Sequence, residues 1–407
     1  MDFDLTEEQR LLKESIGKLL SAHYTDPKIY TAHQAAPGGF SRVVWDELAA
    51  AGLLALPFAE TDGGFGAGPI EAMLVMEQLG TVLAVEPYLT SSVLCGALLR
   101  DGASAEMKAY LLPRVISGET LLALAYVEPG TRGALHEVSL AATIASNGYI
   151  LNGRKSVVLG GGAAGAFLVS TRTTSADQDK DGLTLMLVDA AAPGLARQTY
   201  PTQDRCQVAE LEFTNVWVPA ANILGREGHG LTLLNNAMEE AIAALCAEAV
   251  GAMEALFKLT IEYLKTRRQF GVTLGSFQAL QHRVADMYIA LEQARSMSIY
   301  AALAITDHDP VKRSAAIAAA KVQTGQSARF IGETAIQLHG GIGLTNEYKG
   351  GHYFKRLTMI EYQFGDSGVY LRQLGSERRF NSDGNRLSDS PTRYTHVRRM
   401  HKAKLGI

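Results

Sequence analysis

Residues 149–159 read YILNGRKSVVL, a run in which apolar residues flank a short polar centre. Similar runs follow at 165–173 (GAFLVSTRT), 183–190 (LTLMLVDA) and 209–218 (AELEFTNVWV). β-branched and aromatic residues favour strands, and the Asn-Gly and Asp-Gly dipeptides between the runs are typical of tight turns. Asn147-Gly148 and Asn152-Gly153 favour tight connections between antiparallel strands. The sequence therefore predicts an antiparallel β domain in the middle of the chain.

Helical periodicity dominates both sides of this β domain. Thr6 followed by two glutamates is typical of a capped helix start. Later, apolar residues recur at three- and four-residue intervals from Leu280 to Leu303, and residues 307–310 end that helix and start the next. The order of helices, strands and helices predicts a segregated α+β fold. The predicted units are an N-terminal helical domain (1–120), the β domain (121–228), a C-terminal helical bundle (229–374) and a basic C-terminal extension (375–407).

Composition and charge exclude several classes of protein. The 407 residues are 47% hydrophobic and carry a formal net charge of −4, which offers no broad cationic surface for nucleic acid. The acidic start MDFDLTEEQR and the lack of a long apolar run predict a cytoplasmic protein without a membrane segment. Cys95, Cys206 and Cys246 have no metal-ligand spacing, so we expect reduced core thiols and no metal site.

Seven local motifs occur in the order in which a known family carries them. They are WDELAAAGLLALPFAETDGGFG (45–66), VEPG (127–130), NGRK (152–155), VPAANILGREGHGL (218–231), RRQFG (267–271), FQALQHRVADM (277–287) and QLHGGIG (337–343). Each motif alone is weak, whereas the ordered set is specific. On these motifs the chain resembles the acyl-CoA dehydrogenase family over roughly residues 1–375.

The resemblance implies an FAD cofactor, an acyl-CoA substrate and a tetramer of homologous subunits, either identical or of two kinds. It also implies electron-transfer flavoprotein as a candidate electron acceptor. From the residues alone, the arginines of RRQFG either bind a pyrophosphate or stabilise a helix end, and the glycine pair either approaches a ligand or caps a helix. The resemblance favours the first interpretation of each, because the matching residues of the family bind the FAD of an adjacent subunit. Those residues are Arg267, Phe270, Gln278, Gln337, Gly340 and Gly341.

The family's reaction needs a carboxylate that removes the α proton of an acyl thioester while the β hydride passes to the flavin. The family's spacing from Gly340 to its usual glutamate ends here at Phe364, which cannot accept a proton. A minority of the family carries the base on the helix before the arginine motif, where the spacing ends at Ala241. Glu240, one position away, and then Asp366 are therefore the candidate catalytic residues.

Other positions also depart from the family's pattern. The run Thr-Glu-Pro-x-Ala-Gly-Ser-Asp corresponds to VEPGTRGA (127–134), and Trp-Ile-Thr corresponds to VVL (157–159). These replacements remove hydroxyls and an indole that would hold an isoalloxazine. Ile242 stands where the family has an arginine, which weakens the case for CoA binding. Glu239 and Glu240 have a simpler interpretation as helix-start or surface carboxylates, and Glu248 as an ion-paired residue.

Three hypotheses follow from this combination of kept and lost residues. The leading one is a subunit that completes an FAD site together with a second, catalytic chain, similar to the two-subunit enzymes of bacterial steroid degradation. The second is an active FAD homotetramer that uses an unusual base. The third is a non-enzymatic acyl-thioester binder or scaffold that keeps only the fold.

Overall fold

The computed structural model describes residues 5–131, 133–173 and 182–381. Its first unit is helical and begins as predicted, with Thr6 capping the first helix. The Thr6 hydroxyl accepts a hydrogen bond from the Gln9 amide (3.2 Å), and the Gln9 side chain accepts one from the Thr6 amide (3.1 Å). The helices of this unit are α1 (Glu7–His23), α2 (Pro27–Ala35), α3 (Arg42–Ala50), α4 (Pro69–Val82), α5 (Gly96–Gly102) and α6 (Ala105–Ile116), and a buried π-helix (Tyr88–Cys95) leads into α5.

The middle of the chain forms one sheet. Its strands are β1 (Leu122–Ala125), β2 (Ala141–Ala145), β3 (Gly148–Leu159), β4 (Ala166–Arg172), β5 (Leu183–Asp189), β6 (Leu195–Pro201), β7 (Gln207–Pro219) and β8 (Ile223–Leu224). The strand order is β6-β7-β3-β2-β4-β5-β8, with β1 beside β4. Most pairs are antiparallel, as predicted, but β1 pairs with β4 in parallel and β2 meets β4 in parallel at one position.

One predicted turn is wrong and the other is confirmed. Asn147 has φ 56° in the turn that joins β2 and β3. Asn152-Gly153 instead lies within β3, where the register with β7 shifts between Leu151 and Gly153. The missing side chain of Gly153 explains the bulge, because a Cβ there would lie 3.1 Å from the Cα of Leu140.

The faces of this sheet belong to different hydrophobic cores. On β4, Leu168 joins the large core shared with the helices, whereas Phe167 and Val169 join a separate core inside the β domain. Alternate residues of a strand point to opposite faces, so both faces of β4 are covered and all of its residues are buried. The sheet is therefore held against the helical units along one face.

The last unit is helical again. Its elements are α7 (Gly230–Thr266), the short hairpin β9 (Arg268–Gln269) and β10 (Val272–Thr273), α8 (Gln278–Ala304), α9 (Pro310–His339), α10 (Lys349–Tyr362) and α11 (Ser367–Asn381). The helix predicted from Leu280 to Leu303 is α8, and α9 begins at Pro310, within the predicted boundary at 307–310. α11 continues across the expected boundary at residue 374, while the rest of the basic extension lies outside the described residues.

The first and last units meet where α4 crosses α7. A Cβ on Gly80 would lie 2.1 Å from the Glu248 carbonyl oxygen, and a Cβ on Gly251 would lie 1.9 Å from the Glu77 carbonyl oxygen. The backbone of each helix therefore occupies the space that a side chain would need at the glycine of the other helix. This close crossing sets the position of Glu248 inside the molecule.

The unit order confirms the predicted α+β arrangement of helices, β domain and helices. Within the described ranges, no helix has both the length and the apolar character needed to cross a bilayer. Cys95 and Cys246 are buried, Cys206 is half-buried, and all three are free thiols.

Candidate functional site

A cavity of about 670 Å³ lies between the β domain and the last two helices. We call it the inner cavity. Its walls include Val127 and Val157 from the β domain, Thr90 from the π-helix, and Phe364 and Gly365 from the loop between α10 and α11. The space that faces Val127 and Val157 is therefore open.

Two residues of the inner cavity have an unusual backbone conformation. Val157, at the irregularity of β3, has φ 51°, and Phe364 has φ 62°. Positive φ is strained for β-branched and aromatic residues, and such strain persists where the surrounding structure holds it. The Val157 amide donates to the Glu210 carboxylate (3.2 Å), and the Tyr370 hydroxyl donates to the Phe364 carbonyl (2.6 Å). Both strained residues are thus fixed at the wall of the same cavity.

The polar groups in and behind the β-domain wall bind one another, and of these Thr131 lines the cavity. The Thr131 hydroxyl donates to the Glu128 carbonyl (3.0 Å) and accepts from the Glu128 amide (3.3 Å). The Lys155 ammonium lies 2.7 Å from the buried Glu128 carboxylate and donates to Ser170 (2.9 Å). At positions 127 and 157 of this wall, the side chains that face the cavity are valines. They provide apolar contact and no hydrogen bonds.

Neither candidate base lines the inner cavity. Glu240 accepts two hydrogen bonds from Arg100 (2.6 and 3.2 Å), and the adjacent Glu239 accepts one from Arg313 (2.6 Å). Asp366 accepts a hydrogen bond from the Val369 amide (2.9 Å) in the first turn of α11. Both carboxylates are therefore bound by other groups, and neither lines the cavity.

Two carboxylates that sequence reasoning missed do line the inner cavity: Glu137 and Asp204. Glu137 is half-buried in the loop between β1 and β2, and its side chain has no hydrogen bond or ion pair within the described residues. Asp204 is 3% exposed and accepts a hydrogen bond from the Arg356 guanidinium (2.9 Å). No motif marks either residue, because each reaches the cavity through the packing of separate units.

Arg356 joins the β domain to two helices of the last unit. On α10, its guanidinium donates to both oxygens of Glu248 on α7 (2.5 and 2.8 Å) and to Asp204 of the β domain. Burial alone lowers the pKa of Arg356, but the charges and hydrogen bonds of Glu248 and Asp204 raise it well above its ordinary value. The predicted ion pair of Glu248 is thereby confirmed.

The six residues predicted to bind FAD lie together on an exposed surface, which we call the outer edge. Arg267 caps the C-terminus of α7, and Phe270 sits in the turn of the β9–β10 hairpin, 88% exposed with φ 52°. Gln278 begins α8, whereas Gln337 lies in the last turn of α9, just before the glycine pair. All six are exposed: Arg267, Phe270, Gln278, Gln337, Gly340 and Gly341.

Contacts between elements bring the outer edge together. The Leu274 amide donates to the Arg267 carbonyl (2.9 Å), and the rings of Tyr263 on α7 and His339 on α9 lie 4.7 Å apart. The Arg267 side chain has no ion pair or hydrogen bond within the described part of the chain. A Cβ on Gly340 or Gly341 would meet nothing within 4 Å. The outer edge thus offers a free guanidinium, amide side chains and bare backbone to a ligand outside this chain.

A further cavity of about 430 Å³ lies beside the start of α7. Met238, Glu239 and Ile242 line it together with Arg313 of α9. Ile242, which replaces the family's arginine, is 3% exposed and contributes to the hydrophobic core. Tyr88 and Cys95 are likewise core residues, with the Tyr88 hydroxyl donating to the Leu53 carbonyl (3.2 Å).

Comparison with known protein families assigns each unit of the chain. The acyl-CoA dehydrogenase N-terminal domain matches residues 6–119, the middle domain matches residues 123–216 and the C-terminal domain matches residues 228–378. The mitochondrial isovaleryl-CoA dehydrogenase of Pongo abelii is 32% identical over 93% of this chain and 90% of its own length.

Two solved structures of similar fold contain two named components each. The ChsE4–ChsE5 complex of Mycobacterium tuberculosis has a chain that is 29% identical, with a TM-score of 0.84 over 93% of this chain and 99% of that chain. A variant of the Tcur3481–Tcur3483 steroid acyl-CoA dehydrogenase is also 29% identical, with a TM-score of 0.82 over 92% of this chain and 98% of that chain.

Proposed function

The chain belongs to the acyl-CoA dehydrogenase family of FAD-dependent oxidoreductases acting on CH–CH donors, and on that premise we propose that it is the subunit that completes a flavin site together with a homologous catalytic chain. The reaction is the α,β-dehydrogenation of an acyl-CoA thioester. Electron-transfer flavoprotein is the proposed acceptor of the electrons. Family, enzyme class and cofactor agree with what the motifs predicted.

The observation that carries this proposal is the contrast between the inner cavity and the outer edge. At the position of the family's usual base, the inner cavity presents Phe364, and Glu240 and Asp366 are bound elsewhere. At the outer edge, every residue that matches the family's contact to a neighbouring flavin is present and exposed. A chain with this pattern supplies a cofactor contact to another subunit more readily than it catalyses proton removal itself.

The residues at the outer edge fit FAD. Arg267 would form charge-assisted hydrogen bonds to the pyrophosphate, and the bare backbone of Gly340 and Gly341 permits close approach of the cofactor. Phe270 would provide an aromatic surface. When bound, FAD accepts the β hydride of the substrate. The part of this chain is to orient the cofactor from across the subunit boundary and to shield it from water.

A partner chain is also supported by the exposed apolar residues around the outer edge. Leu344, directly after the glycine-rich segment, is 78% exposed, and Ile342, Val272 and Phe277 are exposed as well. Apolar residues that cluster on a surface mark interfaces more often than free surface. The similarity to a two-component complex agrees with a homologous chain as the partner.

The test is the flavin content per chain, measured by absorbance after purification of this chain alone and after co-expression with a homologous subunit. We expect little flavin in the isolated chain and stoichiometric flavin in the complex. Arg267→Ala should lower flavin retention by the complex, whereas Arg329→Ala, which removes another exposed arginine of the same unit, should not. An isolated chain that is fully loaded with flavin and active would refute the proposal.

The open inner cavity favours one second candidate, an active homo-oligomer with an unusual base. Glu240 and Asp366 remain its bases from sequence, but Glu137 is the carboxylate that lines the cavity without a partner in the described residues. Exchange of the α proton of an acyl-CoA with deuterated solvent tests this function. If Glu137→Gln and Glu240→Gln both leave exchange by the isolated chain unchanged, neither residue is the base.

A further inference from the structure

The inner cavity continues into a smaller space of about 90 Å³, which we call the recess. Five residues line both spaces: Thr90, Leu159, Cys206, Arg356 and Gln363. The recess lies between the end of β3, α4 and α7, because Leu159, Leu79 and Glu248 line it. The two spaces therefore share a wall, so a ligand in the inner cavity lies beside the recess.

The junction of the two spaces carries charge. Arg356 lines both, Glu248 lines the recess and Asp204 lines the inner cavity. One guanidinium faces two carboxylates here. Burial alone raises the pKa of Asp204, but the charge of Arg356 and hydrogen bonds from Thr202, Arg356 and the Cys206 amide hold it below its ordinary value. These three residues therefore carry one more negative than positive formal charge, and both carboxylates are buried.

The cluster also has unused hydrogen-bonding capacity. The Glu248 carboxylate accepts hydrogen bonds from Arg356 and from no other described residue, although two carboxylate oxygens offer about four acceptor positions. The Thr90 hydroxyl donates to the Pro87 carbonyl (3.2 Å) and keeps its acceptor positions. Burial raises the pKa of the Cys206 thiol, which therefore stays a neutral, weak donor. A small polar group in the recess would find both an acceptor and donors.

The chemical group at the far end of an acyl chain would decide how tightly that end binds beside this cluster. A plain alkyl end would displace water from the charged side chains without replacing the hydrogen bonds that the water made. A carboxylate end would be repelled by the excess negative charge. An ammonium end would be attracted by the two carboxylates but would lose its hydration in the small recess beside the like-charged Arg356. A hydroxyl group can donate to Glu248 and accept from its neighbours, and it fits the small recess.

We propose that the inner cavity of this chain binds acyl thioesters whose far end carries a hydroxyl group, with that hydroxyl in the recess against Glu248 and Arg356. The proposal concerns the ligand of this chain's own cavity. It does not depend on whether the flavin is completed by a neighbouring subunit.

The test is a binding comparison on the full-length chain, alone and in complex with its homologous partner. The probes are S-hexyl-CoA and S-octyl-CoA, which cannot be dehydrogenated as thioesters are, and their ω-hydroxy and ω-carboxy counterparts. Isothermal titration should give at least about tenfold tighter binding of an ω-hydroxy probe than of its alkyl counterpart, because a hydrogen bond to a charged group is involved. Tighter or equal binding of the alkyl or ω-carboxy probe would overturn the proposal, as would the absence of binding by all probes.

Variants separate recognition from folding. In the double variant Glu248→Leu/Arg356→Met, made in an Asp204→Asn background so that no buried carboxylate loses its partner, apolar side chains replace the ion pair. Folded proteins often tolerate such a replacement. We expect it to lose the preference for the ω-hydroxy probe and to bind the alkyl probe at least as well as the natural chain. The control is Glu254→Gln, which weakens an ion pair with Arg295 on another face of α7 and should keep the preference. A double variant that folds and still prefers the hydroxyl would refute the proposed role. If it does not fold, Glu248→Gln must reduce the preference.

Because flavin content is measured separately, the two proposals can fail separately. A chain that takes up flavin without a partner but prefers the ω-hydroxy probe would refute only the proposed pairing. A flavin-free chain without that preference would refute only the proposed ligand.

Discussion

At the scale of single residues, Arg356, whose side chain is 14% exposed, determines how charges are arranged between the β domain and the last helical unit. Its guanidinium is bound by Glu248 and Asp204, and removing one partner of a buried pair typically costs about 3–5 kcal/mol because the other charge is left uncompensated. A buried ion pair adds less stability than its contacts suggest, since desolvation opposes it. Its effect here is to fix the relative position of the β domain, α7 and α10 at the inner cavity.

Asp204 predicts a pH dependence of stability. Its pKa lies below the ordinary value of 3.8, so the unfolded chain binds the proton more readily than the folded chain. The stabilisation is therefore fully present above about pH 4 and is lost as the pH falls through the folded pKa. Chemical denaturation at several pH values should show a smaller decline of the unfolding free energy below about pH 4 for Asp204→Asn than for the natural chain.

The control for this experiment is Asp46→Asn, since Asp46 is a half-exposed partner of Arg42 on the surface of α3. In this variant, the decline of the unfolding free energy at low pH should stay within about 1 kcal/mol of the decline in the natural chain. An Asp204→Asn variant with an unchanged acid profile would show that the ion pair with Arg356 does not depress the pKa of this carboxyl.

At the scale of elements, the crossing of α4 and α7 depends on two glycines. The backbone of each helix lies within about 2 Å of where the other helix would place a Cβ, at Gly80 and Gly251. Backbone atoms cannot give way as flexible side-chain ends can. The crossing therefore requires glycine at both positions, although glycine within a helix costs up to about 1 kcal/mol relative to alanine.

Substitution at this crossing should destabilise the protein despite the better helix propensity of alanine. We expect Gly80→Ala to lower the free energy of unfolding by about 1–3 kcal/mol or more, because the helices must separate. The matched control is Gly375→Ala in α11, where a Cβ meets nothing within 4 Å. It should be neutral or stabilising by up to about 1 kcal/mol. Equal thermal unfolding of both variants would contradict the close approach.

At the scale of the whole molecule, the outer edge and the inner cavity are separate surfaces with different neighbours. The inner cavity is enclosed by units of one chain, whereas the outer edge faces outward at the junction of α7, α8 and α9. Phe270, in the turn of the β9–β10 hairpin, is the most exposed large hydrophobic residue of the described chain, at 88%. In the proposed assembly, a second subunit would cover the Phe270 ring.

Charge at the tip of the outer edge should weaken assembly. Phe270→Asp places a carboxylate where an aromatic contact and a cofactor phosphate are proposed, so association should weaken at least about tenfold and flavin retention should fall. Analytical ultracentrifugation and flavin absorbance of the complex measure the two effects. Ile144→Asp, at a 75% exposed position of the β domain, is the control and should change neither. Intact assembly of Phe270→Asp would place the interface elsewhere.

Local patterns in the sequence predicted the elements that depend on interactions between residues close together in the chain. The cap at Thr6, the period of α8 and the helix end at Arg267 follow from side chains within a few positions of one another. The two Asn-Gly pairs show the limit of this reasoning. The same dipeptide forms a turn at Asn147 and a bulge at Asn152, because pairing with β7 decides between the two outcomes.

The amino-acid sequence by itself determined the order of the three units, the family, and which residues of that family's pattern are kept or replaced. Only the tertiary structure decided that Glu240 is bound to Arg100, that the space before Val157 is open, and that Asp204, Glu248 and Arg356 meet. Those three residues come from the β domain and from two helices of the last unit that are about a hundred residues apart in the sequence. Periodicity and motifs report neighbours along the chain, whereas the contacts of a buried charge are set by how distant units pack, and no local pattern encodes that.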